Sequence, residues 1–374
     1  MKYYPKQAVW ELTLRCNMRC LHCGSRAGTA REDELSLDEC LDIAQQLIDM
    51  DCEEITLIGG EVFVHKDWHI IARKFIDAGV KANIITNAFL LGNRQMAQLK
   101  QSGIEIVGIS LDGMEKTHNK IRGNEKSFQK VLEAFKKLKD AGYKIAVITT
   151  ILKDNFEELE EIYSLLVENN VDLWQLQLAS PMGNASDNND ILVSPDKVHE
   201  ITKLISDKKN LGKIFVIGGD NVGYFNKYEN NIRLEEGEDI CFDGCYAGLY
   251  VIGLDSVGNV KGCESLYSDK FIEGNLRENS LKEIWNRPGA FAYNREFKPE
   301  MLEGHCKGCD MGPYCAGGCR QLSYFSSGHY YDNKYCCYPN KPKLAKEKKG
   351  KSENANKINT KNNKSKSSKL KEKT

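Results

Sequence analysis

The chain has no stretch of ~18 consecutive apolar residues, and Met1 to Trp10 include no apolar core of a signal segment. Neither a membrane span nor a secretory signal is therefore expected, and the expected location is cytoplasmic. Net charge is almost absent as well, with Lys+Arg at 52 against Asp+Glu at 53. That balance hides a split. Residues 341–374 hold 13 Lys and 3 acidic residues, which leaves 39 basic against 50 acidic residues in 1–340. An acidic folded part lacks the electrostatic footprint of a nucleic-acid binder, so no nucleic-acid partner is expected. Compositional bias is missing too. At 374 residues, 41% hydrophobic and 28% charged, the chain is not collagen-like, coiled-coil or wholly disordered. Its length fits two domains or one large one with a real core.

Cysteine is absent between Cys52 and Cys241 and dense on either side. The fourteen cysteines are Cys16, Cys20 and Cys23, then Cys40 and Cys52, then Cys241, Cys245, Cys263, Cys306, Cys309, Cys315, Cys319, Cys336 and Cys337. In a small secreted chain that number would mean disulfides. In a large chain with no export signal, grouped cysteines point to thiolate-bound metal. Cys40 and Cys52 flank the first helix candidate and read as buried, apolar-like thiols.

From Ala8 to Ala179, short β-rich runs alternate with longer amphipathic ones. Strands are expected at 8–14, 54–58, 81–86, 105–111, 144–152 and 172–178, with helices near 36–50, 67–78, 93–102, 124–141 and 154–169. Ser36 followed by Glu39 matches a capping box, and Gly79, Gly103 and Gly142 each sit just past a helical run. The repetition predicts an α/β fold with a parallel sheet and helices outside it. Six units fall short of a closed barrel of eight, so a partial (β/α)6 TIM-like barrel with an open side is expected. Residues 181–240 read as the barrel end and a connecting segment, with a helix at 194–206 and a strand at 213–218. Residues 241–340 read as a small cysteine-rich domain with one helical patch at 281–286. The Lys/Asn/Ser-rich tail at 341–374 reads as disordered.

Cys16, Cys20 and Cys23 follow the first strand directly, on what would be the catalytic face of a parallel barrel. Three thiolates can hold three irons of a 4Fe–4S cluster and leave the fourth iron open. A zinc site completed by His22, or a redox pair of Cys20 and Cys23, are the other readings of these residues. The Cys-x3-Cys-x2-Cys run after strand one, within strand–helix units, resembles the radical SAM superfamily over residues 8–180. Ile58-Gly59-Gly60-Glu61 resembles its GGE element, with Val62 where a proline is usual. The resemblance implies that Gly59, Gly60 and Glu61 receive the SAM amino group. Glycines admit close backbone approach, and a carboxylate pairs with an ammonium. It further implies SAM contacts from Thr86 and Asn87 after strand three and from Ser110 and Asp112 after strand four. His22 would lie near adenine, and Arg122, in His118-x3-Arg122-Gly123, would clamp the SAM carboxylate. Gln175 and Gln177 share one strand face, and Gln177 is a candidate contact to adenine or substrate. Taken singly, each of these residues could be an ordinary turn, cap or core group. Their placement at successive strand ends is what joins them.

The C-terminal spacing resembles the SPASM domain of peptide-modifying radical SAM enzymes over residues 241–338. A zinc ribbon starting at Cys306-x2-Cys309 is the alternative reading. The resemblance implies that Cys245, Cys263 and Cys319, with Cys241, bind one auxiliary 4Fe–4S cluster. It implies that Cys306, Cys309 and Cys315 bind a second, closed by Cys336, with Cys337 as the alternative. Three 4Fe–4S clusters and S-adenosyl-L-methionine are thus the expected cofactors.

The implied activity is reductive cleavage of SAM to a 5′-deoxyadenosyl radical that abstracts hydrogen from a ribosomally made peptide. Auxiliary clusters favour a net oxidation, such as a thioether or carbon–carbon crosslink. The alternatives are a sulfatase-type protein maturase, a peptide epimerase with Cys337 as hydrogen donor, and a non-catalytic iron–sulfur or zinc scaffold. Only about 15 residues precede Cys16, too few for a leader-peptide-binding domain. The expected partners are therefore a peptide or protein substrate, a separate leader-peptide-binding protein or direct recognition by the barrel, and an electron donor such as a flavodoxin or ferredoxin.

Overall fold

The computed structural model describes residues 3–233 and 242–338. The tail at 341–374 and Cys241 lie outside the described residues. The strands are β1 (Gln7–Glu11), β2 (Glu54–Ile58), β3 (Lys81–Thr86), β4 (Ile106–Ser110), β5 (Lys144–Ile151), β6 (Leu173–Leu178), β7 (Phe215–Gly218), β8 (Val251–Leu254), β9 (Asn259–Lys261) and β10 (Gly274–Asn275). They form one sheet in the order β10-β9-β8-β1-β2-β3-β4-β5-β6-β7. From β1 to β7 every neighbour is parallel, which is the partial barrel expected from the strand–helix repeat. β8 also runs parallel to β1, on its other side, while β9 and β10 turn back antiparallel. The cysteine-rich part therefore continues the barrel sheet, and β1 is an interior strand.

The crossover helices are α1 (Leu37–Asp49), α2 (Trp68–Asp77), α3 (Asn93–Ser102), α4 (Glu115–Arg122), α5 (Ser127–Asp140) and α6 (Leu159–Glu168). α1 shows why they form where they do. Ser36 Oγ accepts from the Glu39 amide at 3.3 Å, and Glu39 Oε2 accepts from the Ser36 amide at 2.8 Å, closing the capping box. Cys40, Ile43, Ala44 and Leu47 then bury one stripe of α1 against the sheet. Fully burying Ile43 or Leu47 contributes roughly 1.5–3 kcal/mol each. Cys40 and Cys52 both belong to this core, as expected of structural thiols.

Several expected boundaries shift, two of them for reasons the structure shows. The first strand ends at Glu11 instead of Leu14, because Thr13 and Leu14 turn their carbonyls to Gly60 and Gly28 and leave the ladder. The helix expected at 124–141 begins at Ser127, and α4 precedes it. Gly123, with φ +66°, ends α4 in the left-handed conformation that glycine adopts without penalty.

Candidate active site

The irregular segment after β1 folds over the C-terminal ends of the strands, and the first cysteine group lies there. Cys16, Cys20 and Cys23 line a cavity of about 330 Å³ together with His22, Gly59, Gly60, Glu61, Thr86, Asn87, Ser110, Arg122 and Gln177. Of the residues expected to contact SAM, Asp112 alone is absent from the lining. It lies fully buried beneath it.

The glycines are demanded first by the chain itself. A Cβ on Gly60 would stand 2.5 Å from the Arg15 carbonyl oxygen and 2.6 Å from that of Leu14. The cysteine loop can pack on β2 only because Gly60 has no side chain. Glu61, 1% exposed, ties the neighbouring loop down: it accepts from Thr86 Oγ1 (2.6 Å), the Asn87 amide (2.8 Å) and the Phe63 amide (3.1 Å). Burial nevertheless pushes its carboxyl above the usual range.

Arg122 and Asp112 form a buried ion pair at 2.5 Å. Asp112 also accepts from the Thr150 amide at 2.8 Å, and His22 Nε2 lies 3.6 Å from it. Burial raises the Asp112 carboxyl, but Arg122 and the two histidines outweigh burial and hold it below the usual carboxylate range. Burial pushes His22 down to about 4, so its imidazole is neutral. Arg122 reaches the Cys20 sulfur at 3.8 Å, placing a cation beside the cysteine loop. His118, one turn before Arg122, is structural: its Nδ1 accepts from the Asp112 amide and its Nε2 meets Ser127 Oγ.

The donor set suits a metal cluster and SAM. Burial pushes the Cys16 thiol up to about 12 and raises Cys20, so without a metal both keep their protons and are poor nucleophiles. Among the described residues, no three His, Cys, Asp or Glu side chains are packed closely enough to hold a single metal ion. A four-iron cluster is a larger body, and its thiolates stand further apart. His22 Nδ1, Arg122 Nε and Ser180 Oγ are buried with no hydrogen-bond partner. All three residues line the cavity, where a zwitterionic ligand rich in donors and acceptors would satisfy them.

Cys306, Cys309, Cys315 and Cys336 surround a second, small cavity. Cys337 is not part of that lining; its Sγ receives a 3.2 Å contact from Asn226 Nδ2. Burial, with the neighbouring Cys245, pushes Cys263 up to about 12, and burial with Cys245 and Cys263 raises Cys319, so the three sulfurs lie near one another. Other groups gave no sequence signal. Met18, Ser180, Met182, Asn221, Ser265 and Gln321 also line the first cavity, three of them from segments after β6 and two from the cysteine-rich part. Beneath it, fully buried Glu11 pairs with Arg31 and accepts from Tyr267 Oη at 3.1 Å, while Arg31 reaches Ser256 Oγ at 2.6 Å. This network ties the cysteine loop to the turn after β8.

Residues 10–166 match the profile of the radical SAM superfamily, and residues 245–310 match that of SPASM, an iron-sulfur cluster-binding domain. The chain belongs to the radical SAM superfamily. It is an enzyme with a C-terminal SPASM domain, and such chains bind a 4Fe–4S cluster with SAM and further iron–sulfur through SPASM. An AdoMet-dependent heme synthase of Methanosarcina barkeri is 28% identical over 345 residues, covering 89% of this chain and 97% of that one. The mycofactocin maturase MftC of Mycolicibacterium smegmatis is 28% identical over 327 residues, covering 86% and 80%. The fold is shared with Streptococcus suis SuiB bound to S-adenosylmethionine, with a TM-score of 0.70 at 18% identity, covering 85% of this chain and 74% of that one. SuiB is also solved with its precursor peptide SuiA. No helix among the described residues of this radical SAM enzyme is long and apolar enough to cross a membrane.

Proposed function

We propose that this radical SAM/SPASM enzyme is a peptide maturase that oxidises a ribosomally made peptide to a thioether or carbon–carbon crosslink. In this reading, residues 1–180 form the SAM-binding core, 181–240 the barrel end and 241–340 the auxiliary domain. Cys16, Cys20 and Cys23 hold the cluster that, with SAM, supplies a 5′-deoxyadenosyl radical able to take hydrogen from an unactivated carbon. Gly59, Gly60 and Glu61 hold the methionine end, with Thr86, Asn87, Ser110 and Gln177 along the cavity and His22 toward adenine. Arg122 supplies the positive charge and Asp112 fixes its position. Cys245, Cys263, Cys319 and Cys241 hold one auxiliary cluster, and Cys306, Cys309, Cys315 and Cys336 the other.

The observation that carries the substrate class is the neutrality of the far wall. Gln175, Ser180, Ser265 and Gln321 offer amides and hydroxyls, and among the described residues the one cation of the lining, Arg122, is already paired with Asp112. Amides and hydroxyls suit a peptide backbone. A coproporphyrin carries four carboxylates, which call for unpaired cations. The heme synthase relatives favour a tetrapyrrole as the second reading. Co-expression with short reading frames beside the gene, followed by mass spectrometry, tests the first: a peptide lighter by two hydrogens is expected. Turnover of Fe-coproporphyrin III with loss of carbon dioxide, and of no peptide, would establish the second. A separate leader-binding protein and a flavodoxin or ferredoxin donor are proposed as partners.

A further inference from the structure

Arg320 directly follows Cys319 and opens the helix Arg320–Ser327. Its side chain is fully buried, at 0% exposure. The guanidinium donates to three backbone carbonyls, those of Tyr293 (3.1 Å), Gly318 (3.2 Å) and Tyr330 (2.8 Å), and sits 4.5 Å from the Tyr331 ring centroid. Its Nη2 has no hydrogen-bond partner. No carboxylate among the described residues pairs with it. Contrast Arg122 and Arg233, which are also buried but face Asp112 and Glu229. A guanidinium taken out of water without an anion is costly, so an unpaired one in a packed interior calls for negative charge from another source.

The surroundings supply that source. Tyr293, whose carbonyl Arg320 binds, packs in one cluster with Cys245 and Cys263. Tyr331, over whose ring Arg320 lies, packs in another with Cys306. Arg320 thus contacts one residue from each of two packing clusters that hold C-terminal cysteines, and it directly follows Cys319 in the chain. We propose that Arg320 is the fixed counter-charge of the auxiliary clusters and sets their reduction potential, holding it higher than neutral surroundings would. A cluster with four thiolates is anionic, and one added electron makes it more so. A buried cation stabilises the reduced form more than the oxidised form, and low local dielectric strengthens the effect. The role is one of tuning, since Arg320 does not line the first cavity.

This inference rests on the C-terminal cysteines holding clusters, and iron and sulfide content tests that premise separately. In the reconstituted full chain, a potentiometric titration followed by electron paramagnetic resonance should be run on the signals that added SAM leaves unchanged. R320Q should need a lower potential, with at least a tenfold smaller reduced-to-oxidised ratio at the wild-type midpoint. For a one-electron couple that is about 59 mV. R320K, which keeps the charge, should titrate near wild type. Loss of clusters from R320Q with a loaded, wild-type-like R320K also supports the charge role. A loaded R320Q with unchanged potential overturns it. So do equal shifts in both variants, or loss of clusters from both, since each would make the arginine a matter of shape alone.

Discussion

Removing the guanidinium of Arg122 should cost the fold more than almost any other single substitution at the cavity. Asp112 is 0% exposed and Arg122 is 8% exposed, so Arg122→Met leaves a dry carboxylate whose main counter-charge is gone. Breaking a buried pair from one side costs about 3–5 kcal/mol, chiefly through the charge left behind. The Asp112→Asn variant should lose a comparable amount. The double variant should lose less than the sum, because neither charge is then stranded. Urea unfolding of the reconstituted protein reports this well, since Trp10, Trp68, Trp174 and Trp285 are all fully buried fluorescence probes. The pair also fixes a pH dependence. Asp112 has a folded pKa below its ordinary 3.8, so its contribution is complete above about pH 4 and is lost as pH falls through the lower folded value. In Arg122→Met that acid-side loss should shrink. If both single variants unfold within about 0.5 kcal/mol of wild type, as for an ordinary surface site, the buried-pair account is wrong.

Replacing Cys16, Cys20 and Cys23 together by Ala should remove about four irons per chain and all SAM cleavage; cleavage that persists would displace the radical site from this loop. Glu61→Gln should weaken SAM binding roughly 10- to 100-fold by equilibrium dialysis, the worth of one charge-assisted contact, and unchanged affinity would remove Glu61 from the SAM site. Gly60→Ala forces its Cβ against two backbone carbonyls, so it should lose cluster content while the core keeps its far-ultraviolet circular dichroism; normal iron would show that the loop yields. Cys336→Ala should lose about four irons and Cys337→Ala none, measured by iron assay, because only Cys336 lines the cavity with Cys306, Cys309 and Cys315.

The parallel core was legible because each of its signals is local. Strand–helix alternation, the Ser36–Glu39 box and glycine stops give the six strand–helix units without knowledge of their neighbours, and the spacing of Cys16, Cys20 and Cys23 lies within eight residues. The joining of β8 to β1 was not legible, since it pairs Gln7 with Val251 across most of the chain and leaves no periodicity in either segment. The same holds for Glu11 with Arg31 and Tyr267, and for Gln321 at the first cavity: each charge or amide looks like a surface group until the fold brings its partner. Asp112 was read as a ligand contact because it ends a strand at the right place. The structure pairs it with Arg122 and leaves it outside the cavity lining, a placement that its position at a strand end does not show.

Hydrogen transfer from peptide to SAM is the event on which the functional reading depends. The direct measurement is the mass of 5′-deoxyadenosine formed when the reconstituted enzyme, SAM and reductant act on a precursor peptide deuterated at the Cα and Cβ positions. The reading requires deuterium in the nucleoside and a peptide that has lost two hydrogens. Unlabelled 5′-deoxyadenosine with an unaltered peptide, alongside decarboxylation of Fe-coproporphyrin III by the same preparation, would contradict it.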